Sequence, residues 1–410
     1  MFRLPFLFIA TGLALFGLFN LATLLQASGW ILQPPRSPSG WLFAHWLILG
    51  WATMIAMGAV YQLISVVLQR DVFSRRLGYV QFGVYFAGVL GLLAGFGFFR
   101  VEWIALFAVL ALLGILLFVL NIGLTILQSA RWNLITLSSA TALLYLLLTG
   151  LAGFLMGINF AFGLWPEWHD PLFFSHIWMG TVGWFGLLIT GFSYKMLPMF
   201  YLAHGISDRL PRIIAWLWNA AVLAGVVLFL AGFPAFGFGL SLGLLTLAVY
   251  AYNFYITKVR KARHKKNPGG GIRASVYSAR ALAVICSAAL ALMLIAPDLA
   301  KDERFIVIFA WAYLWGWVAM TILGYLSKIV PFLWWTHKYG PRAGKEKTPT
   351  MGDLLDDRQA AFVLAGVGLC LLAVMVGLGM ELAVWTRWSL GALSLFSLYY
   401  AFLIARVFAR

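Results

Sequence analysis

The segment Gly183-Trp-Phe-Gly-Leu-Leu-Ile-Thr-Gly-Phe-Ser-Tyr194 decides the fold, because its pattern occurs three times in the chain. The other copies are centred on Trp51 and Trp317, so neighbouring copies of the Trp lie 133 positions apart in both intervals. In each copy one glycine directly precedes the Trp and a second glycine follows it by seven residues. Three copies at equal spacing indicate an internal repeat, and the shared glycines are typical of positions where membrane helices pack closely.

The composition is that of a membrane protein. Of the 410 residues, 63% are hydrophobic and 10% are charged, whereas soluble domains have about 45–50% apolar and about 25% charged residues. A soluble protein of this length could not bury so much apolar surface. The composition therefore excludes a soluble enzyme, a disordered protein and a secreted disulfide scaffold. Because Cys286 and Cys370 are the only cysteines and both lie in apolar runs, we expect no disulfide framework or thiolate metal cluster.

Runs of about 20 apolar residues, the length that crosses a bilayer as a helix, predict twelve spans, with the Trp motifs in spans 2, 6 and 10. We therefore expect an all-α integral membrane protein with a single membrane domain over residues 1–410. It should consist of three pseudo-repeats of four helices, at roughly 1–130, 131–260 and 270–410. The first span has no small-residue cleavage pattern, so we expect a retained helix and not a signal peptide. The predicted spans are 5–26, 41–68, 78–98, 102–127, 133–160, 172–200, 211–233, 235–257, 276–296, 304–335, 359–380 and 384–408.

The basic residues behind the formal net charge of +16 are concentrated in the loops after spans 2, 6, 8 and 10. Because short cytoplasmic loops are rich in Lys and Arg, both termini are predicted to lie in the cytoplasm. The opposite loop Trp165–Pro171 is acidic. We expect the basic residues to orient the helices, with contact to anionic lipids as a second interpretation for Lys258–Lys266. We expect the bilayer, and no nucleic acid, as the partner of this charge.

Two of the six histidines, His45 and His176, lie near the outer ends of spans 2 and 6. An ionisable side chain within a membrane span is costly, which makes it a candidate functional residue. Counted from the motif Trp, His45 is at −6 and His176 at −8, a difference of about 3 Å along a helix axis. The alternative is that both are structural histidines bonded to backbone or water. The other histidines, expected in loops or at interfaces, are His169, His204, His264 and His337.

Span 6, from His176-Ile-Trp-Met-Gly-Thr-Val-Gly-Trp184 through Tyr194 to Pro198, resembles the catalytic subunit I of the heme-copper oxidases, in particular the cbb3-type cytochrome c oxidase. Three arcs of four helices, with functional histidines on helices 2, 6 and 10, are the plan of that family. The resemblance implies that His45 and His176 are the two axial ligands of one heme b. It also implies the plasma (inner) membrane of a bacterium, and a quinol or a cytochrome as the electron donor.

The chain departs from the family pattern at the copper ligands. The family's His-x-His becomes His176-x-Trp178, and span 10 has Phe309 and Trp311 at the equivalent offsets. Span 7 has no His-His pair. We therefore expect no copper and no complete copper–heme centre for oxygen reduction, and we expect Trp178, Trp311 and Trp315 to fill pores that the family uses for cofactors.

These observations predict a heme b-binding membrane protein that acts in electron transfer, in binding NO or O₂, or in a heme-linked role, and they leave open whether it is an oxidoreductase. The alternative is a membrane permease, or a respiratory-complex assembly factor, on the same scaffold without the cofactor. Lys195 and Lys328, both at +11 from their motif Trp, are expected to reach the inner headgroups or to serve a proton path. The candidate cations for heme propionates are Arg36, Arg100, Arg304 and Arg387.

Overall fold

A computed structural model describes residues 2–26, 29–129 and 132–410. The protein is 85% helical, and the residues described form no strand. Twelve of the described helices are long and apolar enough to cross a membrane. Numbered α1 to α12 in chain order, these helices are Arg3–Leu25, Pro38–Leu68, Arg75–Gly97, Val101–Leu127, Leu134–Phe162, Pro166–Tyr201, Arg209–Leu230, Pro234–Lys261, Gly270–Ile295, Glu303–Lys338, Asp357–Gly379 and Ala383–Ala409.

The twelve predicted spans are confirmed in number and order. The largest differences are at the starts of α6 and α9, which each begin six residues before the predicted span. In α6, a short 3₁₀ turn over Pro166–Trp168 leads directly into the helix, within the stretch predicted to be a loop. In α9, the carboxylate of Asp357 accepts a hydrogen bond from the Gly270 amide at 2.8 Å. A carboxylate at a helix N-terminus accepts a hydrogen bond from a free amide and interacts favourably with the helix dipole. The helix can therefore begin within the glycine run.

The helices divide into two compact units. The first unit contains Met1–Val66, Asn267–Ala281 and Asp302–Arg410, and the second contains Val67–Lys266 and Leu282–Lys301. Helices α3 to α8 thus belong to the second unit, whereas α1, α10, α11 and α12 belong to the first. The predicted boundary between the first two repeats, at residues 130 and 131, lies outside the described residues.

Within the second unit, α3 and α4 approach closely because glycines face backbone. A Cβ atom on Gly88 would lie 2.4 Å from the amide nitrogen of Ala111, and one on Gly114 would lie 2.6 Å from the Cα of Tyr85. Small residues let membrane helices come into backbone contact, which increases van der Waals packing where the hydrophobic effect gives no drive. These two glycines therefore set the distance between α3 and α4.

Within the first unit, α9 and α10 cross in the same way. A Cβ atom on Gly324 would lie 2.4 Å from the carbonyl oxygen of Gly271, and one on Gly271 would lie 2.5 Å from the carbonyl oxygen of Gly324. Beside this crossing, Ser278 and Thr321 bring their hydroxyl oxygens within 3.4 Å of each other. The second motif glycine of span 10 is thus a contact point between helices.

Large apolar side chains are also exposed along the helices. Trp216 and Ile295, for example, have 75% and 83% of their surface accessible. Many large apolar side chains exposed along the same helices are uncommon on soluble monomers. Together with the twelve apolar helices, they are consistent with an integral membrane protein surrounded by lipid.

Candidate functional site

The Gly-Trp pair of each of the three motifs lies in a π-helical segment. These segments are Trp46–Thr53 in α2, Met179–Gly186 in α6 and Leu314–Ala319 in α10. Each ends two residues after its motif Trp. A π-helical segment inserts extra backbone into an α-helix, is rare, and is frequent at functional sites. The motif is visible in the sequence but this shared conformation is not, because hydrophobic patterning assumes the regular α-helical period.

The expected packing role of the motif glycines is observed at four positions. A Cβ atom on Gly183 would lie 2.8 Å from the Cβ of Tyr145, and one on Gly191 would lie 2.7 Å from the Cβ of Ser138. Both neighbours lie on α5. The second motif glycine of α2, Gly58, faces α1 in the same way, with 2.8 Å to a side-chain atom. Together with Gly324, these contacts show that the motif helices pack through their glycines.

His176 lies three residues before the π-helical segment of α6 and is held by α5. Its Nδ1 is 2.9 Å from the carbonyl oxygen of Thr149. Because a carbonyl oxygen only accepts hydrogen bonds, Nδ1 carries the proton and donates it. The neutral imidazole is therefore the tautomer whose Nε2 has the lone pair. This is the nitrogen that a metal ion would take.

Gly153 provides room for the His176 ring. A Cβ atom at position 153 would lie 3.0 Å from Cε1 and 3.2 Å from Nδ1 of the imidazole. Tyr145, Thr149 and Gly153 follow one another at four-residue intervals, so they lie along one face of α5. That face contacts Gly183 through Tyr145 and Gly180 through Thr149. The same face thus packs the π-helical segment and fixes the orientation of the histidine.

His45 lies in the first unit, directly before the π-helical segment of α2. Its Nδ1 is 2.8 Å from the carbonyl oxygen of Trp41, one turn earlier in the same helix. By the same argument Nδ1 donates and Nε2 has the lone pair. The next residue, Trp46, donates its indole N–H to the carbonyl oxygen of Leu15 at 3.0 Å. Both predicted ligands therefore have the same tautomer, and each precedes a π-helical segment, His45 by one residue and His176 by three.

Trp178, which replaces the second histidine of the resembled motif, is buried in the second unit. Its indole N–H donates to the carbonyl oxygen of Ala221 at 3.0 Å. Its ring packs against Phe229 and Phe238, with ring centres 6.4 Å and 5.7 Å away. Gly225 leaves space for the indole, since a Cβ there would lie 2.7 Å from Nε1. Trp178 thus fills the space between α6, α7 and α8.

In the first unit, Trp311 and Trp315 belong to a continuous series of aromatic rings that we call the aromatic row. The two rings are nearly parallel, with centres 6.0 Å apart. Trp315 continues to the motif residue Trp51 at 6.1 Å, and Trp311 continues to Trp30 at 5.7 Å. The row also includes Phe16, 4.2 Å from Trp51, and Phe43, 4.4 Å from Trp30. Aromatic side chains thus occupy the interior between α1, α2 and α10.

The four remaining histidines lie in loops or near the ends of helices. His204 and His264 lie side by side, with ring centres 5.9 Å apart. His337, at the end of α10, stacks on Phe2 with ring centres 3.9 Å apart. His169 is half-buried at the start of the α-helical part of α6. The pairings of His204 and His337 join segments far apart in the chain, so sequence patterns could not indicate them.

The candidate cations differ in their neighbours. Arg304 pairs with the carboxylates of Asp302, at 2.8 Å, and of Glu381, and its hydrogen bond to Asp302 lowers the pKa of that carboxyl. Its charge is thus already compensated, whereas Arg100 is exposed at the start of α4. Lys328 lies 3.4 Å from the carboxylate of Asp357, a partner that no sequence pattern indicates.

The described residues contain no group of three or more His, Cys, Asp or Glu side chains placed to hold a metal ion. Heme iron takes four ligands from its porphyrin, so a heme protein needs to supply only one or two. His45 and His176 each have an Nδ1 bonded to a main-chain carbonyl oxygen, which leaves Nε2 as the nitrogen that could ligate iron. No protein-family model matches the chain, and a search of curated proteins finds no match.

Proposed function

We propose that the chain is a b-type heme-binding membrane protein with His45 and His176 as the imidazole donors to iron. The observation that supports it most directly is the hydrogen bond from His176 Nδ1 to the Thr149 carbonyl. Metal-ligating histidines almost always donate their other ring N–H to a carbonyl, carboxylate or water. This bond sets the tautomer, fixes the ring and makes the ligating nitrogen more basic.

The surroundings of each histidine support the same role. The absence of a side chain at Gly153 leaves space for the His176 ring against α5. The ring is thus held in one orientation, as an axial ligand requires. His45 repeats the Nδ1–carbonyl bond at the start of another π-helical segment. The resemblance of span 6 to the heme-copper oxidase subunit I adds support from the sequence. Copper is not part of the proposal, because Trp178 occupies the position of the second histidine.

A bound heme would supply one-electron exchange or a binding position for NO or O₂. Two imidazole ligands suit electron transfer, whereas a single imidazole leaves one position of the iron open to a gas. The chain's own contribution is to orient the imidazoles through the main-chain carbonyl oxygens of Thr149 and Trp41. We further propose a bacterial inner membrane with both termini in the cytoplasm, and a quinol or a cytochrome as electron donor, from the basic loops and the family resemblance.

The aromatic row supports a second candidate. It packs six rings between α1, α2 and α10, which suits a scaffold protein, such as a respiratory-complex assembly factor, more than a permease that needs a polar path. In this case the chain would bind no cofactor.

The heme content of the purified protein separates the two candidates. The full chain is produced in cells supplied with a heme precursor, extracted in mild detergent, and assayed by the pyridine hemochrome spectrum. We expect heme b at close to one per chain. A monodisperse, thermally cooperative preparation without heme would overturn the proposal and support the scaffold role.

A further inference from the structure

The ends of α6 and α8 are joined by a short backbone bridge in the second unit. Ala203 and Arg263 form an isolated antiparallel bridge, and the amide of Lys265 donates to the carbonyl oxygen of Tyr201 at 3.0 Å. Leu202, with φ of 50°, and Gly205, with φ of 70°, turn the chain by left-handed conformations on either side of the bridge. Two loops that are 60 residues apart in the sequence are thus held in register.

This bridge places two imidazoles beside each other. His204 directly follows Ala203, and His264 directly follows Arg263, so each histidine is next to one partner of the bridge. Their ring centres are 5.9 Å apart and the ring planes are inclined by 38°. Both side chains are exposed, so an ion from solution can reach them.

We propose that His204 and His264 form a binding site for a late first-row transition-metal ion, with Cu²⁺, Ni²⁺ and Zn²⁺ as the class. A metal ion bound to imidazole nitrogens at about 2.0–2.1 Å places the two ring centres at most roughly 6.4 Å apart. The observed 5.9 Å is within that limit. The ring separation thus permits one ion to be shared by the two imidazoles, with water completing its coordination.

The surroundings select the class of ion. Arg263, Lys265 and Lys266 are basic and exposed, and the two ligands of the site are imidazoles, whereas hard cations such as Mg²⁺ and Ca²⁺ take oxygen ligands. Imidazole suits zinc, copper and nickel, and affinity rises along the series toward Cu²⁺. The neighbouring positive charges weaken the binding of all three ions, and the order of this series leads us to expect that Cu²⁺ binds more tightly than Ni²⁺ or Zn²⁺.

A bound ion would connect the ends of two helices. His204 lies just beyond the end of α6, the helix that carries His176 near its other end, and His264 lies just beyond the end of α8. An ion held by both rings would cross-link the two helix ends, which the bridge now joins through two backbone contacts. The site is independent of heme and does not rest on the proposed function.

Metal titration of the full chain tests this proposal. The protein is purified through an affinity tag without histidine, and Cu²⁺ binding is followed by equilibrium dialysis and by electron paramagnetic resonance, which resolves nitrogen ligands. We expect one ion per chain with hyperfine structure from two imidazoles. His204→Asn and His264→Asn should each weaken binding by on the order of 10²-fold, because the second ligand then no longer acts as part of a chelate.

His337→Asn is the matched control, since that histidine is also exposed at a helix end but stacks on Phe2. We expect it to bind Cu²⁺ like the wild type. Thermal unfolding of each variant without metal shows whether the fold is retained. Unchanged Cu²⁺ affinity in the His204→Asn/His264→Asn double variant, or no stoichiometric binding to the wild type, would overturn the proposal.

Discussion

The imidazole of His176 donates from Nδ1 to the main-chain oxygen of Thr149 over 2.9 Å. The bond connects two helices of the second unit, and it leaves Nε2 as the basic nitrogen. A half-buried histidine oriented in this way has the hydrogen bond that commonly supports a metal-ligating imidazole. The proposed heme site depends on this relationship more than on any other contact.

A methyl group at Gly153 should disturb that arrangement. In Gly153→Ala the new Cβ would lie 3.0 Å from Cε1 of His176, so the ring must move or α5 must shift. We expect lower heme content or a shifted heme spectrum. The measurement is the absorption spectrum per mole of purified protein.

Gly157→Ala is the matched control for that variant. It lies one turn further along α5, and its added Cβ would make ordinary contacts of 3.5 Å or more. Alanine also favours the helix by about 1 kcal/mol relative to glycine. The role assigned to Gly153 would be wrong if both variants changed the spectrum equally, or if neither did.

Trp178 should be important for stability and not for heme chemistry. Trp178→Ala removes a buried indole and its hydrogen bond to Ala221, and truncations of this kind cost about 3–5 kcal/mol. We expect a clearly lower midpoint of thermal unfolding in detergent. Trp216→Ala, at a side chain that is 75% exposed on α7, should change stability by no more than about 0.5 kcal/mol. Equal effects of the two variants would argue against Trp178 as a packing residue.

The crossing of α9 and α10 should not tolerate a side chain at Gly324. In Gly324→Ala the added Cβ would lie 2.4 Å from the carbonyl oxygen of Gly271, so the two backbones must separate. We expect this to lower the free energy of unfolding by about 1–3 kcal/mol. Thermal unfolding of the purified variant measures this loss. Gly243→Ala is the control, because a Cβ there has no neighbour within 4 Å in the described structure. A Gly324→Ala protein as stable as the wild type would contradict the close crossing.

The loop before α11 should lose order in acid. Asp353 accepts hydrogen bonds from the amide and the hydroxyl of Thr350, both at 2.8 Å, and the amide bond above all lowers the pKa of this carboxyl. A lowered pKa in the folded state means a contribution that is complete above the ordinary value of about 4. The contribution is lost as the pH falls through the lowered value.

Hydrogen exchange at the Thr350 amide, corrected for the intrinsic pH dependence, measures this effect. Protection should be constant from neutral pH to about pH 5 and should fall below about pH 4. In Asp353→Asn, which cannot ionise, the protection should be lower at neutral pH and independent of pH over this interval. Pronounced pH dependence in the variant would assign the effect to another group.

The twelve spans could be predicted because a membrane helix has a simple requirement, about 20 apolar residues. The Trp repeat was also visible, since equal spacing needs no knowledge of contacts. The π-helical segments were not predictable, because the residue types in the motif are equally compatible with a regular α-helix. His176 contacts Thr149 and Gly153, which lie on another helix. These two neighbours could not be predicted, since nothing in the local sequence of α5 marks them.

Pairings between distant loops were equally hidden. His204 and His264 meet because Ala203 and Arg263 bridge, and Lys328 meets Asp357 because α11 begins beside α9 and α10. In each case the residues lie in segments that sequence patterns treat as separate. The sequence could identify the chemically capable residues, but their neighbours follow from helix packing.

The most direct test of the proposed function is the reduced-minus-oxidised difference spectrum of the wild type, His176→Ala and His169→Ala. His169 is the matched control, a histidine in the same helix seven residues earlier. We expect a sharp b-type α band in the wild type and in His169→Ala, and its loss or a large shift in His176→Ala. A folded wild-type protein without the band, or a band that is unchanged in His176→Ala, would contradict the assignment of His176 as a heme ligand.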